Sequence, residues 1–401
     1  MKRNWTRREG LAALIGLAAG ACSGGGGGMA TPAAPSPTRS PGPAPTPTAS
    51  LNQAARKRNM RFGSAYAWSP PGADAGSFAN PDYAALLERD CGILVPENEM
   101  KWQAVRPSAT TFDFDRFDAM MDYATRQGLA VRGHNLLWHQ PKWMPAWERN
   151  HDFGPDPKAE GKRLLIEHIR TVMGRYKDRI HSWDVVNEAV SNQDGTLYTT
   201  ALSDAIGSAE ATLDLAFRTA REESPDAQLV YNDYMSWEPD NAEHRAGVLK
   251  LLKGFRDRGV PVDVLGVQSH IGIFEDRPVD QLAADYTPEW RDFLDRVTGM
   301  GYDLVITELD VRGDALPADV TARDRAMADY AHAYLDVMFA YPQLRDVLVW
   351  GMCDKYSWLQ NRDPRADGRP KRPCPYDASF RVKPLRGAIA DAFARPRQAR
   401  S

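Results

Sequence analysis

HSWDVVNE, residues His181–Glu188, is an apolar, strand-like run that ends in an amide, Asn187, followed at once by a carboxylic acid, Glu188. A second run of the same kind, LVITELD at Leu304–Asp310, carries Glu308. Two acids, each at the exit of a buried strand, can face one another across a cleft. That is the minimum equipment for double displacement at a glycosidic bond, provided the carboxyl groups lie about 5–5.5 Å apart.

Working outward, six more runs resemble these two: Phe62–Tyr66, Gly92–Val95, Ala130–His134, Gln228–Asn232, Val264–Ser269 and Val347–Gly351. With Ile180–Val186 and Leu304–Thr307 they make eight. All are short and rich in Val, Ile, Leu and aromatics, as strands buried on both faces are. The segments between them have helical spacing. Asp115–Gln127 places Phe117, Met120, Met121 and Ala124 on one face and stops at Gly128. Gly161–Tyr176, Ala209–Glu222, Ala242–Arg258 and Arg325–Phe339 repeat the pattern. Strands alternating with helices imply a parallel sheet, and eight such units in roughly 345 residues suit a closed (β/α)8 TIM barrel. No G-x-G-x-x-G follows the first strand, which argues against a dinucleotide-binding sheet.

The remaining composition bounds the function. The net charge of -3 gives no electrostatic case for nucleic acid. Eleven tryptophans are many for this length; most are expected in the core and the rest as platforms for the CH faces of sugars. At the N-terminus, Lys2, Arg3, Arg7 and Arg8 precede the apolar run Leu11–Ala21 and the small residues Gly20-Ala21-Cys22. This is the layout of an export signal, and the run is too short to span a bilayer. Thr6–Leu11 resembles a twin-arginine motif, and Ala19–Cys22 a bacterial lipobox with Cys22 as the lipidated residue. Residues 1–22 are therefore expected to be a lipoprotein signal. Residues 23–50, Gly-rich and then Pro/Thr-rich, are expected to be a disordered tether. Residues 51–398 are expected to form the catalytic domain, and no separate carbohydrate-binding module is expected after Phe393. The expected location is outside the cytoplasm: periplasm, outer membrane or medium. Of the other cysteines, Cys91 reads as buried and free, while Cys353 and Cys374 are close enough in sequence to bridge a loop. No spacing suggests a metal site, and no cofactor is expected.

In a parallel barrel, chemistry sits at the C-terminal ends of the strands. Those ends read Glu97-Asn98-Glu99, His134 with Trp138-His139, Asn187-Glu188, Asn232-Asp233, Gln268-Ser269-His270, Glu308 with Asp310, and Trp350 leading to Asp354. A single strand-end acid is more often a helix cap than a catalyst. A ring of acids, amides, histidines and tryptophans at one mouth is not explained by capping.

These residues resemble the glycoside hydrolase family 10 endo-β-1,4-xylanases. The resemblance rests on ENEMKW at Glu97–Trp102, GHNLLWH at Gly133–His139, WDVVNE at Trp183–Glu188, YNDY at Tyr231–Tyr234, GVQSH at Gly266–His270, ITELD at Ile306–Asp310 and WGMCDKYSW at Trp350–Trp358. The motifs fall one per strand end and cover about Leu51 to Phe393. The resemblance implies Glu188 as acid/base and Glu308 as nucleophile. It implies Asn187 as donor to the 2-hydroxyl of the cleaved sugar, and His270 as the partner that keeps the nucleophile ionised. Asn98, Lys101, His134, Trp138 and Gln268 then grip the non-reducing side. Tyr234 extends a platform on the other side. Trp350 and Trp358 roof the cleaved sugar and exclude the C5 hydroxymethyl group that distinguishes glucose from xylose.

Asn135, a shortened Trp138–Trp143 loop and Cys353 depart from the family pattern without touching the acid pair. The implied substrates are xylan and xylo-oligosaccharides, and the implied enzyme is a monomer that meets a membrane only through its lipid anchor. A β-1,4-glucan hydrolase and an inactive glycan-binding protein are the alternatives.

Overall fold

Every one of the eight apolar runs forms a strand, and the strands pair in parallel around a closed ring. The computed structural model describes residues 49–395 of the chain. The expected signal, the expected lipidation at Cys22 and most of the expected tether fall on residues outside the described ones. The strands are β1 (Arg61–Tyr66), β2 (Ile93–Pro96), β3 (Ala130–Trp138), β4 (Ile180–Asn187), β5 (Gln228–Asp233), β6 (Val264–Val267), β7 (His270–Gly272), β8 (Asp303–Arg312) and β9 (Leu344–Val349). Pairing runs β1 through β6 in order; β6 then pairs β8, β8 pairs β9, and β9 returns to β1. β7 lies outside the ring of eight and pairs only with the far end of β8.

The physical reason for β7 is a single residue. The sequence predicts one strand over Val264–Ser269, but Ser269 adopts φ +63°, in the left-handed region. That breaks the strand after Val267 and restarts it at His270. Gly272 N–H then donates to the buried Glu238 Oε1 at 2.8 Å, and Tyr330 Oη–H donates to the same oxygen at 3.0 Å. β8 runs well beyond the predicted Leu304–Thr307, because its second half is paired by β7 and by β9 past two register shifts. The last strand starts at Leu344 rather than Val347.

Two apolar layers hold the barrel. Inside it, Ala65, Ile93, Val95, Val230, Val264, Val305, Leu348 and Trp350 form one cluster. The second, larger cluster fills the space between strands and helices. The helices Asp115–Arg126, Pro157–Tyr176, Ala209–Glu223, Ala242–Asp257 and Val320–Phe339 bury the predicted faces. Helix Val279–Gly299 escaped the periodicity reading because Pro288 sits inside it. Of the ten described tryptophans, Trp102, Trp183, Trp237, Trp290 and Trp350 are buried and the other five are partly exposed.

Cys91, Cys353 and Cys374 are all buried free thiols. The Cys353–Cys374 bridge that the sequence left open does not form. Cys353 Sγ points to the Asp377 carbonyl at 3.1 Å, whereas Cys374 lies beside Gly351.

The two ends of the described chain meet. Ala49 and Ser50, read in sequence as the end of the tether, already join the fold: Ser50 caps helix Leu51–Arg56, and Ala49 O accepts from Arg386 at 2.7 Å. Arg386, on the last helix Pro384–Ala394, grips Asp90 with two hydrogen bonds of 3.0 and 2.7 Å. Asp90 also accepts from Leu51 N at 3.2 Å and from the Tyr376 hydroxyl. Both ion-pair partners are buried, so removing one strands the other's charge. Asp90→Ala is expected to destabilise the domain by about 3–5 kcal/mol. Urea denaturation measures this, and a loss under about 1 kcal/mol would mean the pair does not hold the ends together.

Candidate active site

Glu188 stands one residue past β4, where the chain turns out of the sheet with φ +53°. A non-glycine residue there is strained, and the conformation persists only where neighbours fix it. Glu188 N–H donates to the Asn232 carbonyl at 2.9 Å. Its carboxylate accepts from Trp138 Nε1 at 2.9 Å and from Gln268 Nε2 at 3.0 Å. Burial raises the Glu188 pKa, and the charges of Asp233 and Glu308 add to it; the bonds from Gln268 and Trp138 only partly offset this.

Glu308 is buried in β8 and accepts from Asn232 Nδ2 at 2.8 Å. Its other oxygen lies 3.3 Å from His270 Nε2. Burial opposes its ionisation, but the hydrogen bond from His270, the charges at His134 and His270, and the Asn232 amide outweigh that. The net shift is downward from the ordinary carboxylate value. The two glutamates are thus pushed in opposite directions.

Asn232 joins them. A carboxylate only accepts, so the Asn232 atom facing Glu308 is the NH2 group. Its carbonyl end accepts from Thr307 Oγ1 at 2.7 Å. The same NH2 reaches an atom of Asn187 at 2.9 Å, which must therefore be the Asn187 oxygen. Gln268 Nε2 also points at that oxygen, at 3.4 Å. The Asn187 NH2 is left to donate elsewhere. Asn232 reaches β8 across β6 at Gly266, where a Cβ would sit 2.4 Å from Asn232 Oδ1. Only a residue without a side chain leaves that path open.

His270 is set by the Ser269 turn and by the register of β7, which pairs His270 with Asp310. Nδ1 lies 3.0 Å from Asp310 Oδ2, and the same Asp310 oxygen accepts from Trp358 Nε1 at 2.8 Å. Burial works against the imidazolium, but Asp310 and Glu308 overcome it and raise the His270 pKa to about 10.

The remaining predicted residues surround this centre. Lys101 Nζ donates to Asn98 Oδ1 at 3.0 Å and sits 4.6 Å from the Trp138 ring. His134 Nδ1 is paired with Asp184 at 2.9 Å, and Arg132 holds the same carboxylate. The His134 ring meets Trp350 edge-on at 5.4 Å. A cis peptide joins His134 to Asn135. Gly133 next to it leaves room for the Trp183 ring, which a Cβ would meet at 2.3 Å. Trp358 packs 5.1 Å from His270. Tyr234 lies 4.5 Å from the buried His244.

All twelve predicted residues therefore fall at one mouth. Gln268, expected among the glycone contacts, spends its amide on Glu188 and Asn187. Sequence reasoning left out Asn232, Asp310 and Asp184, although the first two had been noted at strand ends. Their signal lies in the pairing register, which brings Asn232 level with Asn187 and Asp310 level with His270.

A (β/α)8 barrel with two oppositely tuned carboxylic acids at the C-terminal mouth has the equipment of a glycoside hydrolase. The family model of glycosyl hydrolase family 10 matches residues 50–392, and the chain belongs to that family. Endo-1,4-beta-xylanase B of Thermotoga neapolitana is 31% identical over 312 residues, covering 77% of this chain and 82% of its own. Endo-1,4-beta-xylanase 3 of Hypocrea jecorina is 32% identical over 339 residues, covering 83% and 82%. Among solved structures, native xylanase 10B from Thermotoga maritima superposes with TM-score 0.74 at 31% identity, covering 86% of this chain and 98% of its own. Xylanase 10B from Thermotoga petrophila, in complex with xylobiose, gives TM-score 0.74 at 30% identity, covering 88% and 99%.

His270 generates a direct prediction. A raised imidazole pKa stabilises the folded state fully below the ordinary value near 6.5, and that contribution is lost as pH rises toward about 10. Nitrogen-15 NMR is expected to show both ring nitrogens protonated from about pH 6 to pH 9. Asp310→Asn should bring that titration down toward the ordinary value. An unshifted His270 in this variant would remove Asp310 as its support.

Proposed function

We propose that this enzyme is a retaining endo-1,4-β-xylanase acting on xylan and xylo-oligosaccharides. The observation that carries the reading is the opposed tuning of Glu188 and Glu308 within one hydrogen-bond network, since divergent pKa values assign an acid and a nucleophile. The relatives named above, all xylanases, support the substrate.

In the first step the ionised Glu308 attacks the anomeric carbon. The glycosidic C–O bond breaks, and the proton on Glu188 passes to the departing oxygen. Glu308 is then an ester without charge, so the field that kept Glu188 protonated weakens. Glu188 takes a proton from water, the hydroxide oxygen bonds to the anomeric carbon, and Glu308 leaves as carboxylate. Two inversions give net retention.

Asn187, with its oxygen occupied and its NH2 free, donates to the 2-hydroxyl of the reacting sugar, a bond that tightens as positive charge develops at the ring. His270 aims Glu308 and holds it ionised. Asn98, Lys101, His134 and Trp138 grip the glycone side, with Gln268 at the junction to the acid. Trp350 and Trp358 form a wall against a C5 substituent. The same reading has residues 1–22 as a lipoprotein signal and residues 23–48 as a tether. A monomeric catalytic domain is then held outside the cytoplasm of a bacterial cell.

The pH profile of kcat/KM on xylan is expected to be a bell. Its acid limb is set by Glu308 and lies below the ordinary carboxylate range. Its alkaline limb is set by Glu188 and lies above it. Glu188→Gln should abolish the alkaline limb and lower the rate on unactivated xylan by about 10²–10⁴-fold. NMR of the first product should show the β-anomer; initial release of the α-anomer would overturn the retaining mechanism. Greater activity on carboxymethylcellulose than on xylan would overturn the substrate.

A further inference from the structure

The loop after β9 is dense in charge, and most of its cations are matched. Lys355 pairs with Asp74, Arg365 with Asp367, Lys371 with Asp314 and Asp363, and Arg372 with Asp324. Arg362 is different. Its neighbour Asp363 is taken by Arg312 and Lys371, and among the described residues Arg362 makes no ion pair. Its guanidinium instead lies 5.5 Å from the Trp143 ring and 5.5 Å from the Trp358 ring, joining the loop after β3 to the loop after β9.

Lys142 meets the same tryptophan, Trp143. It is exposed, makes no ion pair among the described residues, and sets its ammonium 5.1 Å from Trp143. Trp143 stacks on Trp138 at 4.8 Å, and Trp138 donates to Glu188. Two stacked tryptophans, Trp143 and Trp138, therefore connect the cations to Glu188. They also feel one another: partial burial and then the charge of Arg362 lower the Lys142 pKa, against the pull of Glu188.

Two like charges held together beside an active site are unfavourable unless an anion completes them. An unsubstituted xylan chain is neutral and supplies none. A guanidinium fork matches a carboxylate through two parallel hydrogen bonds, and an ammonium adds a point charge. The glycan itself can carry the carboxylate, because Arg362 lies on Trp358 and Trp143 stacks on Trp138, both tryptophans of the proposed sugar-binding site.

We propose that Lys142 and Arg362 bind the carboxylate of a uronic acid side group on xylan, so that the enzyme prefers acid-substituted over neutral chains. This inference rests on the xylanase reading.

The test compares three substrates: a linear neutral xylo-oligosaccharide, a glucuronoxylan, and the same glucuronoxylan with its carboxyl groups reduced to alcohols. The unaltered protein is expected to lose roughly three- to tenfold in kcat/KM when the carboxyls are reduced, the scale of two exposed charge pairs. The preference should shrink as salt is raised. The double variant K142Q/R362Q should lose a similar factor on glucuronoxylan alone, keeping its rate on the neutral oligosaccharide and on the reduced polymer. Equal losses on all three substrates would show a merely structural role and overturn the proposal. So would an unaltered protein indifferent to carboxyl reduction, which needs no variant to fold. If the unaltered protein cleaves none of the three, the xylanase reading fails and takes this one with it.

Discussion

The amide of Asn232 is the constraint on which the site depends. Its NH2 binds the Glu308 carboxylate and the Asn187 oxygen, its carbonyl takes the Thr307 hydroxyl, and its backbone carbonyl takes the Glu188 N–H. One side chain thus orients Glu308 and the Asn187 amide, while its backbone pins the turn at Glu188. Every donor and acceptor of that side chain is used, which leaves it no alternative rotamer of similar energy in a buried setting. It reaches β8 only because Gly266 leaves β6 bare beneath it.

The second requirement is that two carboxylic acids in one cleft stay in different protonation states. Burial pushes both upward. The difference comes from what faces each. Glu308 is given a cation, His270, and a neutral donor, Asn232. Glu188 is given neutral donors and two negative neighbours, Asp233 and Glu308. His270 can play its part only because Asp310 pairs with its far nitrogen and Glu238 holds the strand that carries it. The buried charges therefore form linked sets in which each partner limits the cost of the next. Asp184 does the same for His134 and Arg132.

Much of this was legible in the chain. Eight apolar runs of strand length, separated by stretches of helical period, leave few topologies other than a barrel. Strand polarity then places Glu188, Glu308 and the other ten residues at one mouth. The interruption at Ser269 was not legible, since a left-handed serine has no sequence mark of its own. The helix with Pro288 was hidden because a proline normally ends the pattern. The free state of Cys353 and Cys374 was hidden because closeness in sequence says nothing about where a thiol points.

By itself the sequence determined the architecture, the family, and which residue types stand at the strand ends, because hydrophobic periodicity and motif order are local properties. Only the tertiary structure decided in which direction the pKa of each acid is pushed. That depends on partners drawn from β3, β5, β6, β7 and β8, brought within hydrogen-bond reach by barrel closure and register. The same holds for Lys142 and Arg362, which are 220 residues apart in sequence and become a pair only when the loops after β3 and β9 fold against the same tryptophan.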